Sequence, residues 1–403
     1  MPTALSESQT EIPTRTVEAA PLHLLHVFPT LAIGGARTRL IDIANALPRK
    51  FRHTILAMDG NLDAAAGLAP DVRRDIASIP VVHSSNFSLA NVRRARRLLR
   101  RVAPDLLVTY NSDTFEWSLA NWPALTPHIH IEDGFGYDEA PLRPLGRRVW
   151  IRRLCLAGCE RVVVPSTTLA QIAIEAWRLK PERVLHLPHG VDAARFERPP
   201  DRALIESLGL PDGTLVVGAV AALRPDKNVR RLVRVFASLP PALDARLVIV
   251  GEGPERARIL AEIARLGVSA RVTMAGALAA PERLLGRFDV FALASDSEQM
   301  PGAVLEAMAA GLPVAATDVG DIRHMLSAGN GQFVVPTGDE GALKTALLTL
   351  LEYRDLRHGI GASNRAHARS TYPLETMVAR YDALFEGATR YSAGMRRTAG
   401  PVS

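Results

Sequence analysis

The sequence predicts an α/β fold built from two doubly wound parallel sheets. Short apolar runs alternate with stretches of helical periodicity from one end of the chain to the other, which is the pattern of parallel βα units. The alternation breaks once, between Pro188-His189-Gly190-Val191-Asp192 and Pro199-Pro200-Asp201, as a linker would break it. The chain is also large enough for two domains, with 403 residues of which 47% are hydrophobic.

Taken in order, the first series of strands is expected at residues 24–28, 54–58, 80–83, 105–110, 128–131 and 161–164. The second is expected at 215–221, 246–250, 271–274, 290–294, 314–317 and 333–335. The first domain is placed at residues 21–195 and the second at 205–370, with a last helical pattern within 371–388. Residues 1–20 are polar, carry Glu7, Glu11 and Glu18, and lack the apolar core of a secretory signal. They are expected to form a mobile tail, as are residues 389–403. No uninterrupted apolar run reaches the roughly 18 residues of a membrane span. The two cysteines, Cys155 and Cys159, stand four apart on an expected helix. That spacing suits neither a disulfide framework nor a zinc site, so a reducing, cytoplasmic setting is expected.

The net charge of +6 is modest, but the arginines are clustered. Arg93, Arg94, Arg96, Arg97, Arg100 and Arg101 alternate with apolar residues at helical spacing. Arg143, Arg147, Arg148, Arg152 and Arg153 repeat the pattern around Trp150. Such helices suit an anionic membrane surface or acceptor, or are simply solvated faces of core helices. Residues 93–101 hold no aromatic for base stacking, so nucleic acid is not expected as a partner.

The densest chemical signal follows the expected strand at 290–294. Ser295, Glu298, Met300 and Pro301 lie in a loop that opens a helical run beginning near Gly302 and carrying Leu305-Glu306-Ala307-Met308-Ala309. Gly311 and Pro313 stop that helix. A loop at the carboxyl end of a parallel strand is where open α/β sheets bind ligands, and a helix N-terminus there favours phosphate. At the start of the second domain, Arg224-Pro225-Asp226-Lys227-Asn228 also follows an expected strand. Its two cations suit a developing anionic charge. Gly34 and Gly35 follow the first strand and allow close backbone approach to a ligand. Gly251 and Gly253 do the same after the strand at 246–250. Arg256 stands where a dinucleotide fingerprint needs its third glycine, so a nicotinamide cofactor is not expected. Neither a metal set nor a Gly-x-Ser-x-Gly nucleophile turn is apparent in the sequence.

These elements together resemble the retaining glycosyltransferases with two Rossmann-like domains facing across a cleft, the GT-B fold, and family 4 in particular. That family reads S-x-x-E-G-x-P followed by L-E-A-M-A-x-G-x-P-V. Here Glu298, Pro301, the Leu305–Ala309 run, Gly311, Pro313 and Val314 match, and Gln299 departs from the family's glycine. The resemblance implies a UDP- or GDP-sugar as donor and no prosthetic group. Arg224 and Lys227 correspond to the family's R-x-x-K-N element at the diphosphate. Glu298 would face the donor sugar, and Glu306 would accept hydrogen bonds from ribose hydroxyls. Met300, Pro301, Gly302 and Leu305 would border the nucleotide, with Gly251 and Gly253 near its base. Gly34 and Gly35 would line the diphosphate side of the cleft, although Arg37 reverses the charge of the family's glutamate there. His130 is similar to the family's cleft histidine, with Asp133 where a second histidine is frequent. The last helix would cross back onto the first domain. The implied acceptor is a cell-envelope polysaccharide or lipid-linked glycan, met by a cytoplasmic protein that touches the membrane peripherally. Two other readings stay open: a nucleotide-sugar epimerase of the same fold, and a non-catalytic sugar-nucleotide-binding scaffold.

Overall fold

A computed structural model of the chain describes residues 20–32, 35–78, 88–135, 146–278 and 280–398, with the backbone alone at 35–38 and 391–398. The expected strand at 80–83, residues 1–19, Gly34, Gly136 and Arg143 lie outside the described residues.

The first half runs β1 (Leu22–Phe28), α1 (Gly35–Ala46), β2 (Phe51–Ala57), β3 (Arg73–Ile76), α2 (Leu89–Val102), β4 (Leu106–Tyr110), α3 (Phe115–Ala120), β5 (His128–Ile131), α4 (Gly146–Leu156), β6 (Arg161–Val164), α5 (Thr167–Glu175) and β7 (Val184–His186). The second runs α6 (Arg202–Ser207), β8 (Leu215–Val220), α7 (Val229–Ala237), β9 (Ala245–Val250), α8 (Arg256–Arg265), β10 (Val272–Gly276), α9 (Glu282–Leu285), β11 (Val290–Leu293), α10 (Gly302–Ala309), β12 (Val314–Thr317), α11 (Ile322–Met325), β13 (Val334–Val335), α12 (Glu340–Glu352), α13 (Arg354–Thr371) and α14 (Leu374–Thr398).

The strands form a seven-stranded sheet ordered β3-β2-β1-β4-β5-β6-β7 and a six-stranded sheet ordered β10-β9-β8-β11-β12-β13. Every recorded pairing within them is parallel. In each sheet the order reverses once, between β1 and β4 and between β8 and β11. Those reversals are the switch points at which doubly wound sheets open a ligand crevice. Helices cover both faces, so the central strands are buried on both sides; β4 and β5 are buried at every position.

Two strands were not expected from the sequence. β3 has the sequence Arg-Arg-Asp-Ile and is exposed along its length. It is a charged edge strand, which avoids further pairing and carries no apolar signal. β7 is three half-buried residues directly before the linker.

The halves join through a bridge between Val191 and Pro373. From there α14 packs Met377, Val378, Tyr381 and Phe385 into the core of the first sheet, beside Leu24, Ile55 and Val108. This helix continues well past residue 388, to Thr398. No proline interrupts it, and an i,i+4 pair between Glu386 and Arg390 supports its later turns.

Candidate active site

The loops after β8 and β11 meet at the switch point of the second sheet. The Lys227 Nζ lies 2.8 Å from Glu298 Oε1 and 3.2 Å from Asp226 Oδ2. Ser295 donates its hydroxyl to Glu298 Oε1 at 2.8 Å. Arg224 pairs with Asp226 at 3.0 Å, yet its side chain remains 47% exposed and open to an incoming anion. Asp296 ties the two loops together, accepting from Asn228 at 2.9 Å and pairing with Arg231 at 2.7 Å. Local sequence dictates this turn. Asn228 adopts the left-handed conformation, at φ 40°, and its side chain accepts from the Arg231 N–H to start α7. Lys227 is thereby set at the end of a single turn, pointing at Glu298.

Gly251 and Gly253 have a structural reason of their own. A Cβ at Gly251 would overlap the Ala221 carbonyl oxygen, and one at Gly253 would meet the Leu223 carbonyl oxygen at 2.5 Å. Only glycine lets the turn after β9 pack on the segment that carries Arg224.

Glu306 sits on the second turn of α10, partly exposed but enclosed by protein. Burial, set against the opposing charge of Arg195 and reinforced by Glu282 and Asp42, raises its pKa from 4.5 to about 7. Asp42, on α1 of the first half, is raised to about 6, by burial first, with Arg195 opposing the rise. Arg195 itself pairs with Glu282 at 2.7 Å. At the helix start, Gly302 and Ala303 present first-turn N–H groups that have no partner within a helix. Met300 and Leu305 are 6% and 1% exposed and belong to the core, so a ligand at this helix would meet backbone rather than these side chains.

On the facing half, His130 is fully buried, contrary to the open cleft position expected for it. Its Nδ1 lies 2.8 Å from Thr109 Oγ1 and its Nε2 3.4 Å from Glu132 Oε2. The same Thr109 hydroxyl lies 2.8 Å from His128 Nε2. Burial, with His130 adding to it, lowers the His128 pKa to about 3. A strand that places two histidines in the interior thus satisfies both from one threonine. Arg152, expected on a basic face open to an anionic surface or to solvent, is also buried. Its guanidinium lies 4.9 Å from the Trp177 ring centroid and 3.9 Å from Glu132. Cys155 and Cys159 are buried free thiols, and burial raises the Cys155 pKa to about 12.

Sequence reasoning missed Arg39 on α1. It is 3% exposed and grips Asp133 with both nitrogens, at 2.7 and 2.9 Å. Its Nη1 also lies 3.4 Å from His189 Nδ1 in the linker. Two cross-half contacts were missed as well. Ser166, the N-cap of α5, donates to Gln299 at 2.9 Å. Asp321 accepts from both the N–H and the hydroxyl of Thr167 and of Thr168. Gly35 begins α1, and no side-chain geometry is described for Arg37. Among the described residues, no group of three or more His, Cys, Asp or Glu is arranged to hold a metal ion. No described helix is long and apolar enough to cross a membrane.

Comparison with known proteins places both halves in one setting. Residues 33–195 match the family model described as Glycosyltransferase Family 4, and residues 201–367 match that described as Glycosyl transferases group 1. The chain is 28% identical over 182 residues to an N-acetyl-alpha-D-glucosaminyl L-malate synthase of Bacillus anthracis, covering 45% of this chain and 48% of that one. It is 33% identical over 242 residues to a D-inositol 3-phosphate glycosyltransferase of Nocardia farcinica, covering 57% and 53%. The matches therefore span about half the length of these relatives. Among solved structures, Anabaena HepE in complex with UDP and glucose superimposes with a TM-score of 0.76 at 19% identity, over 91% of this chain and 100% of that one. At that identity the likeness speaks to the fold.

Proposed function

This chain belongs to the family 4 type of glycosyltransferases with the GT-B fold, and from that premise we propose that it moves a sugar, with retention at the anomeric carbon, from a UDP- or GDP-sugar to a hydroxyl acceptor. The acceptor is a cell-envelope polysaccharide or a lipid-linked glycan. The observation that carries this reading is the Lys227–Glu298 pair at the switch point, with the half-exposed Arg224 beside it. Breaking the bond between sugar and diphosphate leaves a full extra negative charge on the leaving group. Arg224 and Lys227 are fixed cations for that charge, and the N–H groups at Gly302 and Ala303 add to them. Glu298 supplies a carboxylate for the sugar, where positive character develops at the anomeric carbon. Glu306 takes the ribose hydroxyls. Gly34 and Gly35 border the diphosphate from the first half, and Gly251 and Gly253 border the base. His130 acts from beneath, by fixing the strand end that faces the sugar. Pro301 fixes the entry to α10, and Met300 and Leu305 hold that helix in the core.

The test is the thermal stability of the purified protein against UDP, GDP, ADP and their sugars. A ligand at a hundredfold excess over its Kd stabilises by about 2.7 kcal/mol. We expect a shift selective for one base, absent in Glu306→Ala; no shift with any nucleotide sinks the donor site as drawn. The pH dependence has a definite sign. Glu306 has a folded pKa near 7 against 4.5, so its contribution to stability is present below the lower value and is lost as pH rises through about 7. Hydroxyl donors from the ribose relieve that cost only when the carboxylate is charged. The nucleotide-induced shift is therefore expected to be larger at pH 8 than at pH 6.

The exposed surface of α4 supports a lipid-linked acceptor. Trp150 and Leu154 are 70% and 67% exposed there, with Ile151 and the exposed Arg147 beside them. On α2, Arg93, Arg97, Arg100 and Arg101 face solvent while Ala95 and Leu99 pack inward. Exposed aromatic and aliphatic side chains with arginine on the same helix suit an anionic bilayer. Sedimentation with vesicles containing phosphatidylglycerol is expected to capture the protein at low salt. Trp150→Ala/Leu154→Ala is expected to reduce that capture about tenfold; equal capture of both proteins, or none of either, removes this surface from the proposal.

A further inference from the structure

The loop that carries Glu298 is fastened to the first half of the protein by its next two residues. Gln299 is 4% exposed, and its side-chain carbonyl accepts the Ser166 hydroxyl at 2.9 Å. Its Cγ also lies where a Cβ on Gly134 would stand 3.4 Å away, against the end of the β5 loop. Met300 follows, with its sulfur 3.2 Å from the His189 N–H in the linker. The backbone of the same loop is held from the other side. Gln299 C=O accepts from the Asp321 N–H at 2.8 Å. Gly320, at φ 57°, lies so close that a Cβ there would overlap the carbonyl oxygens of Glu298 and Gln299.

Asp321 completes the seam. Its carboxylate accepts from Thr167 N and Oγ1 at 2.6 and 2.8 Å, and from Thr168 N and Oγ1 at 3.0 and 2.7 Å. The first N–H groups of α5, which a helix leaves without internal partners, thus find their acceptor in the other half of the molecule. The negative carboxylate also sits at the positive end of that helix. Ser166 thus meets Gln299, and Thr167 and Thr168 meet Asp321. The seam is polar and built from hydrogen bonds, so it can part and re-form as the halves move. A packed apolar contact would resist that motion.

We infer that Gln299 is a positioning residue for the transfer reaction: with Asp321 it latches the Glu298 loop to the N-terminus of α5, so that the carboxylate reaches its working position only when the two halves are engaged. The inference rests on the proposed role of Glu298 at the donor sugar. Gln299 stands where the resembled motif has glycine, a residue with no side chain to bridge the halves. Here the side chain makes the link, and the flexibility of glycine is given up for it. None of the latch residues is among those assigned to the nucleotide above, so the latch is expected to govern turnover and to leave donor binding alone.

The experiment compares Gln299→Ala, Ser166→Ala and the double variant with wild type. Three readouts are taken: kcat and KM for the donor, the thermal shift with the nucleoside diphosphate, and hydrogen exchange at the amides of Thr167 and Thr168, which bond to Asp321. Each single variant is expected to lower kcat about tenfold with donor KM and nucleotide shift within twofold of wild type. The double variant is expected to lose no more than Ser166→Ala, because both singles remove the Ser166–Gln299 hydrogen bond and Ser166→Ala also removes the cap on the Leu169 N–H. Exchange at these two amides is expected to quicken in every variant. A Gln299→Glu variant, which retains an acceptor for the Ser166 hydroxyl, is expected to regain most of kcat. Unchanged kcat with unchanged exchange overturns the latch, as does a loss of nucleotide binding in step with kcat. If wild type itself neither turns over nor binds a nucleotide, the transferase reading fails, and the exchange comparison still decides whether the seam couples the halves.

Discussion

Lys227→Ala is expected to lower kcat for sugar transfer by roughly 10²–10³-fold, the cost of removing one preorganised partner of developing charge. The argument starts from burial. The Lys227 side chain is 14% exposed and its ammonium lies between two carboxylates, Glu298 at 2.8 Å and Asp226 at 3.2 Å. A cation in such a place is screened little by solvent, so its pull on a departing diphosphate is strong. Its removal has a second effect, because Glu298 and Asp226 lose the charge between them and repel. Lys227→Arg keeps the charge with a larger, planar head and is expected to fall between alanine and wild type. Glu298→Gln keeps the hydrogen bond from Ser295 but loses the charge, and is expected to cost a similar factor. The double variant is expected to lose less than the product of the two, since the residues share a contact. Steady-state kinetics with circular dichroism as the folding control decides it. A folded Lys227→Ala within tenfold of wild-type kcat removes this lysine from the chemistry.

Lys227 and Glu298 were legible because strand, loop and helix start are all local signals, and each residue sits inside one such unit. The same reason made β5, β6 and β12 legible at their observed ends, since buried parallel strands appear as apolar runs with sharp edges. β3 was not legible because an exposed Arg-Arg-Asp-Ile edge strand has neither period nor hydrophobicity. The burial of Arg152 is hidden from sequence for a related reason. Helical spacing shows an arginine on a face, but not that Trp177 and Glu132 meet that face. Contacts between residues distant in sequence, two of them across the halves and one within the first, were beyond local reading altogether. Ser166 and Gln299 are 133 positions apart, Thr167 and Asp321 are 154 apart, and Arg39 and Asp133 are 94 apart. A departure from the motif, as at Gln299, marked the place where one such contact forms, without naming its partner.

Asp133→Ala is expected to destabilise the protein by about 3–5 kcal/mol, the usual cost of leaving a buried charge without its partner. Arg39 is 3% exposed and Asp133 11% exposed in their side chains, and two parallel hydrogen bonds join them. Burial works against the charge on each. The Arg39 guanidinium nevertheless stays firmly protonated because Asp133 outweighs the burial, and the Asp133 carboxyl is held below its ordinary value by Arg39. With Asp133 gone, the described neighbours of the guanidinium are the His189 ring and the Tyr381 ring face, 5.7 Å from its centroid. Burial and Arg39 lower the His189 pKa to about 4, so at neutral pH that ring adds no charge of either sign. A thermal midpoint lower by on the order of 10 °C is expected for a domain of this size. The pH dependence follows from the lowered pKa of Asp133. Its contribution is complete above 3.8, the ordinary value, and is lost as pH falls through the lower folded one. The destabilisation by Asp133→Ala is therefore expected to be full at pH 7 and to shrink only in strong acid. Arg39→Met/Asp133→Leu removes both charges together with the cost of burying them, and is expected to recover most of the lost stability. If that pair melts as low as Asp133→Ala, the shape of the pocket holds α1 against the β5 loop and the linker, and the ion pair does not.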